Sequence, residues 1–335
     1  MGGPILPERA TRAGFGLALL SAATFGTSGT FATALLDAGW SPGAAVTIRI
    51  GIAALILAIP AVVMLRGRWQ VLRRNLGMVA VYGLVAVAGC QVFFFNAVQH
   101  LSVGVALLLE YMGIVLVVGW LWIRSGQRPR RLTIAGSVAA LLGLVFILDL
   151  IGDTHLDLVG VLWGLGAAVG LAVFFVLSGR SDSELPPLAM ASGGMTIGAV
   201  VLLLLGTFGA LPMRANVDDV DLAGHQVSWL VPVIGLSVIA AVIAYVAGIA
   251  AARNLGSKLA SFVGLTEVLF AVLFAWLFLG ELPTAMQLVG GILIVLGVGL
   301  VRIDELRPAA VPGGAPSAGR QALPLADPEP TSRAE

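Results

Sequence analysis

Residues Leu255 to Arg302 read LGSKLASFVGLTEVLFAVLFAWLFLGELPTAMQLVGGILIVLGVGLVR, two apolar runs joined by the turn GELP at 280–283. Moved 154 residues upstream without a gap, this stretch aligns with 101–148, LSVGVALLLEYMGIVLVVGWLWIRSGQRPRRLTIAGSVAALLGLVFIL. Identical pairs in the alignment include Trp122 with Trp276, Gly126 with Gly280, Pro129 with Pro283 and Gly136 with Gly290. The chain therefore contains an internal repeat.

The regions upstream of these two stretches also align, at an offset of 144 residues. The identical pairs there are Gly16 with Gly160, Ala23 with Ala167, Gly26 with Gly170, Phe31 with Phe175 and Pro42 with Pro186. The two offsets differ because the second copy has a longer connection, Ala210 to Val227, between its second and third apolar runs. The repeat thus covers most of the chain.

Composition indicates an integral membrane protein. Of the 335 residues, 59% are hydrophobic and 11% are charged, whereas soluble domains have about 25% charged residues. A soluble protein of this length has too little interior to bury so many apolar side chains. The single cysteine, Cys90, excludes an intrachain disulfide.

Ten apolar segments are long enough to cross a hydrocarbon core of about 30 Å, which requires about 20 helical residues. Helices are expected, because a membrane barrel would need alternating segments of about ten residues. The predicted spans are Gly14–Leu36, Gly43–Leu65, Leu76–Val98, Leu101–Ile123, Arg131–Asp149, Leu158–Leu177, Pro187–Gly209, Ser228–Ala250, Ser257–Leu279 and Thr284–Val301. We therefore predict an all-α polytopic membrane protein with ten transmembrane helices.

Basic residues are distributed unevenly between the two sets of connections. One set, with the terminal segments, holds 17 of the 19 Lys and Arg residues. The other set holds only Arg214, together with the acidic residues Asp37, Asp149, Asp153, Asp157, Asp218, Asp219, Asp221 and Glu281. By the positive-inside rule, both termini are cytoplasmic. Residues 1–13 then form a cytoplasmic N-terminal segment. Residues 303–335, rich in Pro, Ala, Gly and Ser, are expected to form a disordered cytoplasmic tail.

Each copy of the repeat, 14–150 and 158–302, contains an odd number of predicted spans. The second copy must therefore enter the membrane upside down relative to the first. Two inverted five-helix repeats are the arrangement of many secondary transporters, in which the halves exchange conformations about a site at mid-depth. The alternative is a duplication without transport, such as a membrane receptor or an assembly subunit.

At the paired Trp122 and Trp276, the Gly280–Glu281 turn and the segment GGILIVLG at 290–297, the sequence resembles the EamA group of the drug/metabolite transporter superfamily. The resemblance covers about residues 14–302. It implies a bacterial inner-membrane exporter of amino acids, related metabolites or drugs, similar in kind to exporters of threonine and homoserine. It also implies a cavity lined by helices 1, 3, 4, 6, 8 and 9. Many members have proline where this chain has Ile114 and Val268, which predicts straighter helices 4 and 9 here.

Two glutamates lie near mid-depth of helices 4 and 9, where an ionisable group costs about 2.5 to 3.5 kcal/mol on insertion scales. Glu110 aligns with Gly264 in the repeat. Glu267 aligns with Gly113, so the two carboxylates are offset by three residues and share nearly the same helical face. One or both could bind a substrate ammonium group or a coupling proton. The alternative is a structural, hydrogen-bonded carboxyl, and Thr266 offers Glu267 a neighbouring hydroxyl.

Arg49 is the third ionisable residue within a span. It lies in helix 2 at a depth comparable with that of Glu110 in helix 4. A buried ion pair between these two residues is the interpretation that we favour. Arg49 could instead extend to the outer surface or bind a substrate carboxylate.

Aromatic and amide side chains on the implied cavity helices are further candidates for a binding pocket. They are Gln91, Asn96, Tyr111, Trp163 and Tyr245. We favour Gln91 and Asn96, because an unpartnered amide in hydrocarbon is costly. The alternative for each residue is helix packing or contact with lipid.

Other functions have little support in the sequence. The chain lacks a phosphate-binding P-loop, a His-Glu-x-x-His zinc motif and a Gly-x-Ser-x-Gly elbow. We expect no cofactor, no metal and no nucleic-acid partner. The expected partners are a small-molecule substrate and the lipid bilayer, and a homodimer is compatible with the sequence. A polytopic membrane enzyme that uses Glu110, Glu267 and Arg49 for acid–base chemistry is the alternative from another functional class.

Overall fold

The computed structural model describes residues 8–101, 103–126, 129–148, 157–180, 184–279 and 282–306. Within these ranges, helices occupy the positions of all ten predicted spans. We number them α1 to α10. The predicted turn at Gly280 and Glu281 and the tail beyond residue 306 lie outside the described residues.

The first copy of the repeat forms α1 to α5. Their bounds are Glu8–Gly26 and Ser28–Asp37 for α1, Pro42–Leu65 for α2, Trp69–Val81, Tyr82–Gly89 and Cys90–Ala97 for α3, Val103–Tyr111 and Gly113–Ser125 for α4, and Arg131–Ile147 for α5. Ser41 caps α2, because its side chain accepts a hydrogen bond from the Ala44 amide. Gly126 ends α4 in the left-handed conformation, with φ of 67°.

The second copy forms α6 to α10 and a small hairpin. The bounds are Leu158–Ser178 for α6, Pro187–Thr207 for α7, Val220–Leu222 for β1, His225–Val227 for β2, Leu230–Ile234, Gly235–Ile243 and Ala244–Leu255 for α8, Ser257–Gly264, Thr266–Phe274 and Ala275–Leu279 for α9, and Ala285–Leu306 for α10. α10 ends at Leu306, so it extends past the predicted repeat boundary at 302.

The chain is a multi-pass membrane protein. In the part of the chain that the structure describes, nine helices are long and apolar enough to cross a bilayer. The tenth, α5, is apolar but has only 17 residues. At 1.5 Å per residue it is about 25 Å long, which is shorter than a typical hydrocarbon core.

The two ends of the bundle differ in charge. We call the end with the α2–α3 and α8–α9 connections, which carries Arg66, Arg68, Arg253 and Lys258, the basic end. The opposite end, with the α1–α2 connection and the hairpin, is the acidic end.

A β-hairpin at the acidic end was not expected from the all-α prediction. β1 and β2 pair antiparallel, and the two turn residues Ala223 and Gly224 have φ of 56° and 79°, as a two-residue hairpin turn requires. The loop before the hairpin binds the α1–α2 connection, because Trp40 donates its indole N–H to the Asn216 carbonyl at 2.6 Å. Ser41 donates to the Pro212 carbonyl at 2.7 Å. The longer loop of the second copy therefore covers this end of the bundle.

α5 and α10 pack against each other backbone to backbone. A Cβ on Gly143 would lie 2.5 Å from the carbonyl oxygen of Gly290, and one on Gly290 would lie 2.5 Å from the carbonyl oxygen of Gly143. Gly136 and Gly297 face each other in the same reciprocal way, at 2.7 and 2.6 Å. Because the later residue of α5 meets the earlier residue of α10, the two helices run antiparallel.

α3 and α8 each contain a π-helical segment, Tyr82–Gly89 and Gly235–Ile243. The 154-residue offset of the repeat places these two segments at equivalent positions. π-helical turns are rare and are often found at functional sites. Their shared position shows that the two copies are alike in backbone detail that the sequence did not reveal.

α4 and α9 are both interrupted near mid-length, although neither has a proline there. The α4 interruption is at Met112, where the Met112 and Val115 amides make i→i−3 hydrogen bonds. The α9 interruption is at Leu265, where the Leu265 and Val268 amides also make i→i−3 hydrogen bonds. Both interruptions occur without a proline, and the expectation of straighter helices than in relatives with proline stays a prediction. Glu110 lies just before the first interruption and Glu267 just after the second.

Candidate functional site

A cavity of about 230 Å³ lies among α1, α2, α3, α4, α6, α8 and α9. Its polar lining residues are Ser21, Ser28, Arg49, Cys90, Gln91, Glu110, Tyr111, Tyr245 and Glu267. The cavity thus involves the six helices that the family resemblance implied and also α2, which contributes Arg49. All three ionisable residues that the sequence places within spans face this one space.

Small residues and aromatic rings shape the cavity. Glycines on α6 and α8 allow close helix contacts: a Cβ on Gly170 would lie 2.6 Å from the Cβ of Cys90, and one on Gly248 would lie 2.8 Å from Ser21 Oγ. The Tyr245 ring packs edge-on against Phe25 and Phe174, with centroid distances of 5.1 and 5.7 Å. These rings form an apolar wall, and Tyr245 adds a hydroxyl group to it.

Glu110 is bound by the only cysteine of the chain. The Cys90 thiol donates to Glu110 Oε1 at 3.3 Å and lies 3.5 Å from the Ala167 carbonyl. Cys90 follows directly after the π-helical segment of α3, which orients its side chain toward α4 and α6. One carboxylate of the cavity therefore has a weak, neutral hydrogen-bond donor.

Glu267 and Tyr111 both line the cavity. Glu267 is close enough to both Glu110 and Arg49 for their charges to interact with its own. α1 packs closely against the backbone of α9 at this point, because a Cβ on Gly26 would lie 3.0 Å from the Glu267 carbonyl oxygen. Glu267 therefore shares the cavity with the second carboxylate and the guanidinium.

Arg49 is 8% exposed and is bound by neutral groups. Its Nη1 donates to Ser28 Oγ at 3.2 Å, and its Nη2 donates to the Ala240 carbonyl in the π-helical segment of α8. The guanidinium carbon lies 5.9 Å from the centroid of Phe25. The expected ion pair with Glu110 is not found among the described residues. Arg49 instead donates to a carbonyl oxygen of the π-helical segment, and Glu110 accepts a hydrogen bond from Cys90.

The other predicted site residues divide into two groups. Gln91, Tyr111 and Tyr245 line the cavity. Asn96 bonds to the Val92 carbonyl at 2.7 Å, Trp163 packs on Phe93 at 5.7 Å, and Thr266 bonds to the Val263 carbonyl at 2.7 Å. None of these last three is among the lining residues, and Thr266 does not bond to Glu267.

Several lining residues have no distinguishing sequence signal. Ser21 and Ser28 are short polar residues of α1, and Cys90 was informative in the sequence only as an unpaired thiol. Their roles depend on the π-helical segments and on the break in α1 at Thr27. In the described residues, no group of three or more His, Cys, Asp or Glu side chains is arranged to hold a metal ion.

Comparison with known protein families identifies the family of this chain. The model of the EamA-like transporter family matches residues 12–149 and 158–303. The chain belongs to this family. The match confirms the resemblance found at the paired tryptophans and the turn, and the two matched ranges correspond to the two copies of the repeat.

Three similar proteins are named as exporters. The chain is 28% identical to the threonine/homoserine exporter RhtA of Salmonella typhimurium (strain LT2) over 210 residues, which are 62% of this chain and 64% of that protein. It is 28% identical to RhtA of Escherichia coli (strain K12) over 65% of this chain and 68% of that protein. It is 29% identical to a probable terminal-alkyne amino-acid exporter of Streptantibioticus cattleyicolor, over 72% of this chain and 78% of that protein.

A solved crystal structure has the same fold. It superposes with a TM-score of 0.70 at 20% identity and covers 89% of this chain and 99% of the other. The protein is thus a multi-pass membrane protein with the fold and the family assignment of EamA-like transporters. The alternative of a polytopic membrane enzyme is set aside, because the family and its named relatives are transporters and exporters.

Proposed function

We propose that this protein is a secondary transporter that exports a small amino-group-bearing metabolite by alternating access. The observation that carries the proposal is the cavity of about 230 Å³ in which Glu110 and Glu267, from the repeat-related helices α4 and α9, face one space. Intramembrane carboxylates that face a cavity are typical of substrate or proton sites in transporters.

Two inverted five-helix repeats are part of the proposal. Three features support them: the antiparallel glycine contacts of α5 with α10, the equivalent π-helical segments of α3 and α8, and the interruptions of α4 and α9 within one residue of equivalent positions. Gly136 aligns with Gly290 and Gly143 with Gly297 in the repeat. Exchanging the two copies therefore converts the Gly136–Gly297 contact into the Gly290–Gly143 contact, as a pseudo-two-fold axis requires.

Orientation in the bacterial inner membrane follows from the distribution of charge. We propose that the basic end is cytoplasmic, because the connections there hold most of the Lys and Arg residues. Both termini are then cytoplasmic. The acidic end with its hairpin faces outward.

A small amino compound suits the cavity. The volume of about 230 Å³ is below the range of about 300 to 1,000 Å³ that is typical of drug-sized ligands. Two carboxylates that line one cavity favour a solute with an ammonium group. The names of the relatives, exporters of threonine, homoserine and an alkyne amino acid, support the same class.

We also propose that solute transport is coupled to proton transport. Glu110 and Glu267 are the acidic residues of the cavity lining, and proton binding at one of them would compete with binding of a substrate ammonium group. Such competition links substrate release on one side of the membrane to proton uptake on that side. Transport would then exchange an outgoing solute for incoming protons.

The test is counterflow of labelled amino acids into proteoliposomes, with a pH-sensitive dye enclosed in the same vesicles. We expect one or more amino acids to enter, with proton movement in the opposite direction. Entry without proton movement would show that the protein is a facilitator and would exclude proton coupling through Glu110 and Glu267. No entry of any amino acid, amine or drug-like probe would favour the alternative of a non-transporting membrane subunit.

A further inference from the structure

We propose that Arg49 binds the carboxylate of the transported solute, so that the cavity selects a compound with both an ammonium and a carboxylate group. This inference rests on the proposed transport function and narrows its substrate class from amino compounds in general to zwitterions. Nothing in the family match or in the relatives' names assigns a role to this arginine.

The hydrogen-bonding capacity of Arg49 is only partly used. A guanidinium has five N–H donors in a planar fork, and two of them bond to Ser28 Oγ and the Ala240 carbonyl. The Nε atom is buried and has no hydrogen-bond partner. A buried N–H of a charged group without a partner is costly. A ligand oxygen is the acceptor that would satisfy it.

The protein partners of Arg49 are neutral. In the described part of the chain, no carboxylate lies within ion-pairing distance of its guanidinium, although Glu267 is within electrostatic range. A structural buried arginine is usually neutralised by a close carboxylate. A carboxylate on the solute would supply both the charge and the two parallel acceptors that the Nε and Nη edge of a guanidinium binds.

The charges of the cavity lie on different helices. Arg49 is on α2, which starts at Pro42 at the acidic end. Glu110 and Glu267 lie at the interruptions of α4 and α9 and line the same cavity. A zwitterion could place its carboxylate at Arg49 and its ammonium group at the glutamates. An amine without a carboxylate would leave Nε unpaired.

A purely structural role makes a different prediction. If Arg49 serves only to hold the π-helical segment of α8 against α1 and α2, its loss would impair every solute to the same degree. If it binds the solute, its loss would impair only compounds with a carboxylate. The ratio of amino-acid transport to amine transport separates the two cases, and a general loss of folded protein leaves that ratio unchanged.

The experiment uses proteoliposomes of the full chain and matched pairs of labelled probes. Each of a panel of amino acids is compared with the amine formed by its decarboxylation, such as L-threonine with 1-amino-2-propanol and L-homoserine with 3-amino-1-propanol. The variants are Arg49→Lys, which keeps the charge, and Arg49→Gln, which removes it. Arg66→Gln is the matched control, because Arg66 is an exposed arginine at the end of the same helix.

We expect wild type to transport an amino acid at least tenfold better than its amine. Both Arg49 variants should lower that ratio at least tenfold, with Arg66→Gln unchanged. Equal transport of amino acid and amine by wild type would overturn the inference while leaving transport intact. The same conclusion would follow if the Arg49 variants transported both members of a pair with the wild-type ratio. No transport of any probe by wild type would overturn the proposed function, and the inference with it.

Discussion

The thiol of Cys90 donates a hydrogen bond to the carboxylate of Glu110 at 3.3 Å, across the space between α3 and α4. Cys90 is the only cysteine in the chain, and both residues line the cavity. The protein therefore contains one natural chemical label, placed at the site that the proposed function requires.

Alkylation of Cys90 should block transport. A maleimide group on Sγ would occupy part of a cavity of about 230 Å³ and would displace the hydrogen bond to Glu110. We expect at least a tenfold loss of counterflow after treatment with N-ethylmaleimide. A transported solute should slow the labelling, which mass spectrometry of the intact protein can follow. The variant Cys90→Ser should be insensitive to the reagent, and equal inhibition of that variant would contradict the placement.

Replacing Glu267 by glutamine should abolish the dependence of transport on pH. The amide resembles the protonated carboxyl in shape but cannot exchange a proton, so coupling through this position is lost. The measurement is counterflow at several external pH values. Membrane insertion and the elution profile are the controls for folding. A Glu267→Gln protein with the pH profile of wild type would exclude the coupling role of this residue.

Replacing Gly290 by alanine should destabilise the protein. The new Cβ would lie 2.5 Å from the Gly143 carbonyl oxygen, so α5 and α10 would have to separate. Overpacking of this kind costs about 1 to 3 kcal/mol. Gly299→Ala is the matched control on the same helix, because no atom lies within 4 Å of a Cβ there. Thermal unfolding in detergent should show a lower midpoint for Gly290→Ala only, and equal midpoints would contradict the close contact.

Replacing Asp304 by alanine should also destabilise the basic end. Asp304 is 4% exposed, accepts a hydrogen bond from Thr133, and lies 3.9 Å from Lys258 Nζ. Its loss leaves Thr133 without its acceptor, which costs about 1 to 3 kcal/mol. Glu305 binds the same lysine at 2.6 Å but is 38% exposed, so Glu305→Gln should cost less than about 1 kcal/mol. Comparison of the two midpoints checks the difference, and a larger effect at Glu305 would contradict it.

Much of the fold could be predicted from the sequence, because membrane insertion and duplication leave strong patterns. Apolar length gives the spans, and a gapless repeat gives their grouping. The hairpin at Ala223 and Gly224 was missed, since three-residue strands with no hydrophobic alternation carry no periodic signal. The interruptions at Met112 and Leu265 were also missed, because they arise from local i→i−3 hydrogen bonds without a proline.

The candidate site could be predicted in part. Charged residues in apolar spans are conspicuous, so Arg49, Glu110 and Glu267 were selected, and all three face one cavity. Their partners could not be predicted, because helix rotation and π-helical segments decide which side chain meets which. A shift of one residue turns a helical side chain by about 100°. For that reason depth alone suggested a pair between Arg49 and Glu110, whereas the partners are Ala240 and Cys90.

We propose that the cavity around Glu110 and Glu267 is the transport site. The most direct test of this proposal is amino-acid counterflow by wild type and by the double variant Glu110→Gln, Glu267→Gln, both reconstituted at equal amounts with matching elution profiles. We predict uptake by wild type and at least a tenfold loss in the double variant. Equal uptake by the two proteins would show that transport does not depend on these two carboxylates.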